Sequence, residues 1–232
     1  MTGLAVGDLV VSTFFPDWSQ GDAPLASFAR TPGDGIDGYG VETVVRPANW
    51  FAYAPRNWSC KETATLPTAG LTAWRALVVE GHFQAGQDVL VLGTGGVSIF
   101  ALQFAKQMGG RVIVTSSSDE KLERARGLGA DYGVNYLRDE NWSSRVMDLT
   151  KGRGVDLVVE TSGPGTLPQS IQATRIGGAH RPRRRDDRAL RCGSNCCANG
   201  KTANPIWNNC GQQESTDRND TSLRQNGFSA DD

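Results

Sequence analysis

The chain changes its hydrophobic period several times, and the changes are regular. Residues 89–92 form an unbroken apolar run, as a strand buried on both faces requires, and apolar residues then recur at helical spacing at Phe100, Ala101, Phe104, Ala105 and Met108. Further strand-like runs fall at 111–115, near Val134 and at 155–160. Helix-spaced segments occupy 69–79, 97–108, 120–128 and 142–150, and a last one is expected at 166–174, closing at Gly177-Gly178. Strand and helix in turn, with short connections, predict a parallel sheet covered on both faces. The 120–128 helix carries its own punctuation: Ser117 and Glu120 have capping-box spacing, Leu122, Ala125 and Leu128 form an apolar stripe, and Gly129 supplies the stop.

On either side of this region the pattern differs. Up to about residue 68, short β-like runs alternate with turn residues: 9–13, then Gly33-Asp34-Gly35, then 40–46 with Val41, Thr43 and Val45 on one face. These predict a small β-rich unit. After Gly178 a doubly wound sheet calls for another buried strand of Val, Ile and Leu, and none is expected, because no valine occurs after Val159 and the chain turns polar and arginine-rich. The expected division is therefore 1–68 β-rich, 69–178 doubly wound α/β lacking its last strands, and 179–232 a disordered tail. Its composition suggests an out-of-frame continuation, which resequencing the DNA across codon 178 tests; a clean frame with no apolar strand encoded in the alternatives excludes it.

Composition narrows the partners. With 232 residues, 38% of them hydrophobic, and a formal net charge of −1, the chain can bury a core and has no global electrostatic pull toward nucleic acid or an anionic membrane. No stretch reaches the ~18 apolar residues of a membrane span, and no charged leader precedes an apolar run, so a cytoplasmic protein acting on a small-molecule substrate is expected. Of five cysteines, Cys60 stands alone and Cys192, Cys196, Cys197 and Cys210 cluster late, an odd count without metal-ligand spacing. The arginines between Arg181 and Arg191 are interrupted by Asp186 and Asp187 and accompany no RNA-binding signature, so nucleic-acid binding is not expected.

The chemistry concentrates after the 89–92 strand, in Gly93-Thr94-Gly95-Gly96-Val97. Gly93 suits a tight turn and Gly95 a close backbone approach to a pyrophosphate seated on the next helix's N-terminus; Ser98 replaces the usual third glycine with another small residue. At the end of the second strand a carboxylate would bind the adenosine ribose of NAD, but Ser116 stands there, beside Ser117 and Ser118, with Lys121 a turn later. Hydroxyls and a cation favour NADP over NAD. Thr161, Ser162 and Gly163 follow the 155–160 strand at its carboxyl end, where open α/β sheets bind ligands. Neither His82 nor His180 lies in a recognisable motif, and no catalytic acid or base can be named.

Three blocks, residues 65–74 (Thr-Leu-Pro-Thr-Ala-Gly-Leu-Thr-Ala-Trp), 93–97, and Ser118-Asp119-Glu120-Lys121-Leu122 with Leu128-Gly129-Ala130-Asp131, together resemble the medium-chain dehydrogenase/reductase superfamily of alcohol dehydrogenases and quinone reductases. The resemblance implies an incomplete Rossmann-type sheet preceded by part of a GroES-like domain, with the first zinc ligands and proton-relay hydroxyl lying before the chain's start. It implies that Thr72 lies near the nicotinamide ring and that Tyr136 is a phosphate-side tyrosine of the quinone reductase kind. It also implies a homodimer, whose dimer-forming strands are expected to be missing here. Thr68 occupies the place where the zinc branch has a cysteine, so no zinc is expected. The activity implied is zinc-independent, NAD(P)-dependent hydride transfer to or from an alcohol/carbonyl pair, a quinone or an activated alkene. The alternatives are a non-catalytic dinucleotide-binding remnant and a truncated, inactive product.

Overall fold

The computed structural model describes residues 3–18 and 29–182. Its centre is a five-stranded parallel sheet of β5 (Asp88–Leu92), β6 (Arg111–Ser116), β7 (Tyr132–Asn135), β8 (Val155–Glu160) and β9 (Thr174–Pro182), in the spatial order β7-β6-β5-β8-β9. The crossovers carry α3 (Gly96–Gln107), α4 (Asp119–Gly127), α5 (Trp142–Leu149) and α6 (Leu167–Ala173). Strand order runs outward from β5 in both directions, so β5 and β8 flank the switch point at which such sheets open a crevice at their carboxyl ends.

The unbroken apolar strands explain the two layers. In β5, Val89 and Val91 face one core with Ala73, Leu77, Ala101, Leu102, Leu122 and Leu157, while Leu90 and Leu92 face the other with Ile113, Trp142, Val146 and Val158. Period 2 in the strand feeds both faces, and each fully buried Leu or Val is worth roughly 1.5–3 kcal/mol of transfer free energy.

The expected 69–79 helix is part of a longer helical segment, Leu66–Gly70, α2 (Leu71–Trp74) and Arg75–Val79, whose outer parts are wide: Leu71 N–H reaches Leu66 O, and Glu80 N–H reaches Arg75 O. The cap of α4 is shifted by one residue from the sequence reading. Ser118, not Ser117, accepts the Lys121 N–H, at 3.3 Å.

Two sequence expectations are overturned. A strand does follow α6: β9 pairs Thr174 with Val155, loops out over 175–178, and resumes at Ala179 and His180 beside Leu157 and Val158. Pairing with β8 satisfies backbone groups and needs no run of Val, Ile or Leu. Glycine is required in the loop-out, since Gly177 has φ +71° and a Cβ on Gly178 would stand 2.6 Å from Thr174 Cγ2. The α/β unit thus passes residue 178, and the tail cysteines and any frame change lie outside the described residues. Second, 40–46 forms no strand: Val45 is 86% exposed, and among the described residues no neighbouring strand offers it a ladder. The β-rich portion consists of β1 (Val10–Ser12) antiparallel to β4 (Phe51–Tyr53) and the short pair β2 (Thr31–Pro32) and β3 (Gly35–Ile36), followed by α1 (Cys60–Thr63), which the capping box of Ser59 and Glu62 starts. Among the described residues no helix is long and apolar enough to cross a membrane.

Candidate functional site

Where β5 ends, Gly93 takes φ +74°, a conformation only glycine adopts without strain, and its N–H donates to Thr115 Oγ1 at 3.3 Å. Gly95 is the N-cap of α3 and provides no side-chain cap, and a Cβ built on it would meet nothing within 4 Å. The first turn of a twelve-residue helix therefore has no side-chain cap for its N–H groups, the arrangement that can receive an anionic group. Thr94 and Gly96 line the same turn. Val97 is buried in the core and contributes packing.

Ser98 does more than stand in for a small glycine. Its buried Oγ donates to Leu92 O at 2.8 Å, and Thr161 Oγ1 donates to the same carbonyl at 2.6 Å. The ends of β5 and β8 and the first turn of α3 are joined at one oxygen. Thr161, read from sequence as a residue on the ligand-binding, carboxyl end of the strand, thus directs its hydroxyl into the scaffold. Thr72 is half-buried in α2; just before it, the Ala69 Cβ lies 3.3 Å from where a Cβ on Gly96 would stand.

At the end of β6, Ser116 is buried and its Oγ accepts the Ser118 N–H at 3.3 Å, while Ser117 and Lys121 are exposed. The half-exposed Tyr136 is tied to this edge by its N–H, which donates to Ser116 O at 3.1 Å. The structure therefore brings Ser116, Ser117 and Tyr136 to one rim, with Lys121 on the adjoining turn. Asp119, noted in the sequence only as part of the 118–122 block, also lies there. Its Oδ1 accepts from Asn135 Nδ2 at 2.7 Å and its Oδ2 bridges Arg138, so the carboxylate is already engaged. An acid in a first helical turn reads as an ordinary helix start, which hid this engagement.

Sequence reasoning missed the role of Glu160. It closes β8 at 2% exposure, with Oε1 accepting from Ser162 N–H at 2.8 Å, Gly163 N–H at 3.3 Å and Thr166 Oγ1 at 2.9 Å, and Oε2 accepting from Ser170 Oγ at 2.6 Å. His180 on β9 faces it, Nε2 to Oε2 3.9 Å. His82 is exposed on the loop before β5. Among the described residues no three His, Cys, Asp or Glu side chains converge as metal ligands.

The family profile described as zinc-binding dehydrogenase matches residues 96–180. A zinc-type alcohol dehydrogenase-like protein of Schizosaccharomyces pombe is 46% identical over 171 residues, 73% of this chain and 49% of that protein. The crystal structure of a candidate alcohol dehydrogenase from Sinorhizobium meliloti superposes with a TM-score of 0.74 at 47% identity, covering 78% of this chain and 53% of the other. That of an NAD-dependent alcohol dehydrogenase gives 0.63 at 40% identity, over 66% and 45%. The chain spans about half the length of these relatives. With the glycine turn at the switch point of a β7-β6-β5-β8-β9 sheet, these matches place the chain in the medium-chain dehydrogenase/reductase superfamily, among its zinc-type alcohol dehydrogenase-like members.

Proposed function

We propose that the chain binds a nicotinamide dinucleotide across the carboxyl ends of β6, β5 and β8 and serves as the cofactor-holding part of an NAD(P)-dependent oxidoreductase. The observation that carries this is the open, uncapped turn from Gly93 to the start of α3. Its N–H groups and the helix dipole would hold the pyrophosphate, with the adenosine half over Ser116 and Ser117 and the nicotinamide half toward Thr161 and Thr72. When bound, the nicotinamide supplies or accepts the hydride, exchanged with an alcohol/carbonyl pair, a quinone or an activated alkene. The protein's share is placement: β5 and β8 set the crevice, Ser98 and Thr161 lock its floor, and the apolar layers keep it rigid.

NADP is the preferred form in this reading. A 2′-phosphate would meet hydroxyls at Ser116 and Ser117, the Lys121 ammonium and Tyr136, and the carboxylate of Asp119 at that rim is bridged to Arg138. Fluorescence titration of the full chain with NADPH and NADH tests both levels. Tighter binding of NADPH is expected; equal affinities remove the NADP preference, and no binding of either removes the cofactor reading. Substitution of the exposed Ser117 by Asp places a carboxylate at the rim and is expected to weaken NADPH by about tenfold while leaving NADH nearly unchanged. Turnover with aldehyde, quinone and enone panels then separates an enzyme from a binding module that has no activity.

A further inference from the structure

Glu160 is an expensive residue for the end of a buried strand. A carboxylate removed from water costs several kcal/mol unless hydrogen bonds replace its hydration, and here four donors do so. All four come from 162–170, the segment that leaves β8 and turns into α6. Two are the consecutive backbone N–H groups of Ser162 and Gly163, which no apolar side chain at position 160 could satisfy. Apart from these, the segment is held by short-range bonds: Thr166 N–H and Oγ1 reach Gly163 O at 3.3 and 3.0 Å, and Leu167 N–H reaches Pro164 O at 3.4 Å. Gly163 takes φ +97°, and regular structure resumes only at Leu167. Four donors of the loop and the start of α6 nonetheless converge on one buried carboxylate.

The topology says which part of a dinucleotide this loop would meet. The pyrophosphate turn is at the end of β5, the adenosine rim at the end of β6 on one side, and β8 lies on the other side of β5. The two halves of a dinucleotide diverge from the pyrophosphate to opposite sides of the switch point, so the 161–166 loop borders the nicotinamide half. The residue after Glu160 also ties the loop to the glycine turn, since Thr161 Oγ1 donates to Leu92 O at 2.6 Å.

We propose that Glu160 is a positioning residue for the nicotinamide half of the cofactor: without touching the cofactor, its carboxylate gathers Ser162, Gly163, Thr166 and Ser170 and so fixes the loop beside the nicotinamide. This rests on the cofactor reading above. It predicts a split that general destabilisation does not produce. Disturbing Glu160 weakens binding of the whole dinucleotide and spares the adenosine fragment.

The test uses the full chain and two probes, NADPH and 2′,5′-ADP, titrated against wild type, Glu160→Gln and Thr166→Val, with thermal melting of each. The NADPH Kd is expected to rise about tenfold in Glu160→Gln and about threefold in Thr166→Val, with the 2′,5′-ADP Kd within twofold of wild type in both. Parallel weakening of both probes, or no change in either, overturns the proposal. Should Glu160→Gln lose its cooperative melt, the folded Thr166→Val chain decides by the same split, and an unchanged NADPH Kd there overturns it. Failure of the wild type to bind either probe is a different result, which removes the cofactor reading on which the proposal rests.

Discussion

At the scale of single residues, the site depends on positions whose demands differ in range. Gly93 answers a local demand: the strand must turn at once into a helix, and φ +74° admits no other residue cheaply. Gly93→Ala is expected to destabilise the fold by roughly 1–2 kcal/mol, read as a lower urea midpoint at unchanged slope. Ser98→Ala removes one of two hydroxyls from the Leu92 carbonyl and leaves the Thr161 bond, so a loss of about 1 kcal/mol or less is expected by the same measurement. A loss well above that would mean the two hydroxyls act as a unit, which the double variant with Thr161→Val would reveal. The sequence already displayed Gly93 and Gly95, because turn chemistry is written in adjacent residues. It concealed the role of Thr161, whose partner is 69 positions away, and that of Glu160, because nothing in a strand-ending glutamate shows which N–H groups the next loop turns toward it.

Among the elements, those with two-sided burial were legible and those held by backbone pairing were not. The apolar runs of β5, β6 and β8 and the caps of α4 specify their state locally, so their boundaries fall within a residue or two of the sequence reading. β9 has no such run, and what makes it a strand is the exposed ladder of β8 beside it; 40–46 has the alternation but, among the described residues, no ladder to join. The opposite end of the sheet shows how these strands are also held by charge. Asp88 takes a bidentate pair from Arg111 at 2.6 Å and 2.6 Å, and Asp156 bonds Arg153 and Arg175 and accepts the Asp88 N–H at 2.9 Å. Burial pushes the Asp156 carboxyl upward, but the hydrogen bonds from Arg153, Asp88 N–H and Arg175 outweigh it and hold the pKa below its ordinary value. A depressed folded-state pKa contributes stability that is complete above the unfolded value, near ~3.9, and is lost as pH falls through the folded one. Melting temperature is therefore expected to drop below about pH 4 more steeply in wild type than in Asp156→Asn, which has already lost the charge. Equal acid slopes in the two chains would assign the acid sensitivity elsewhere.

For the molecule as a whole, the cofactor reading makes a demand on stability as well as on binding. The crevice exists only when β5, β6 and β8 are assembled with α3 across them, since its N–H groups, its floor hydroxyls and its rim come from segments 93–98, 115–118, 136 and 161. A ligand that recognises this assembly binds the folded chain alone and stabilises it by about 2.7 kcal/mol at a hundred times its Kd. For a folded unit of roughly 150 residues that corresponds to a rise of about 5–10 °C in Tm, growing with the logarithm of concentration. Among the described residues β7 and β9 are the edges of the sheet, and Leu71, Trp74 and Val79 expose apolar surface along the segment that borders α3. Partial opening of the sheet would enlarge that surface, so NADPH is expected to delay the onset of light scattering on heating in step with its effect on Tm. A Tm independent of NADPH concentration, while fluorescence still reports binding, would place the bound nucleotide outside the crevice and on a surface that survives unfolding.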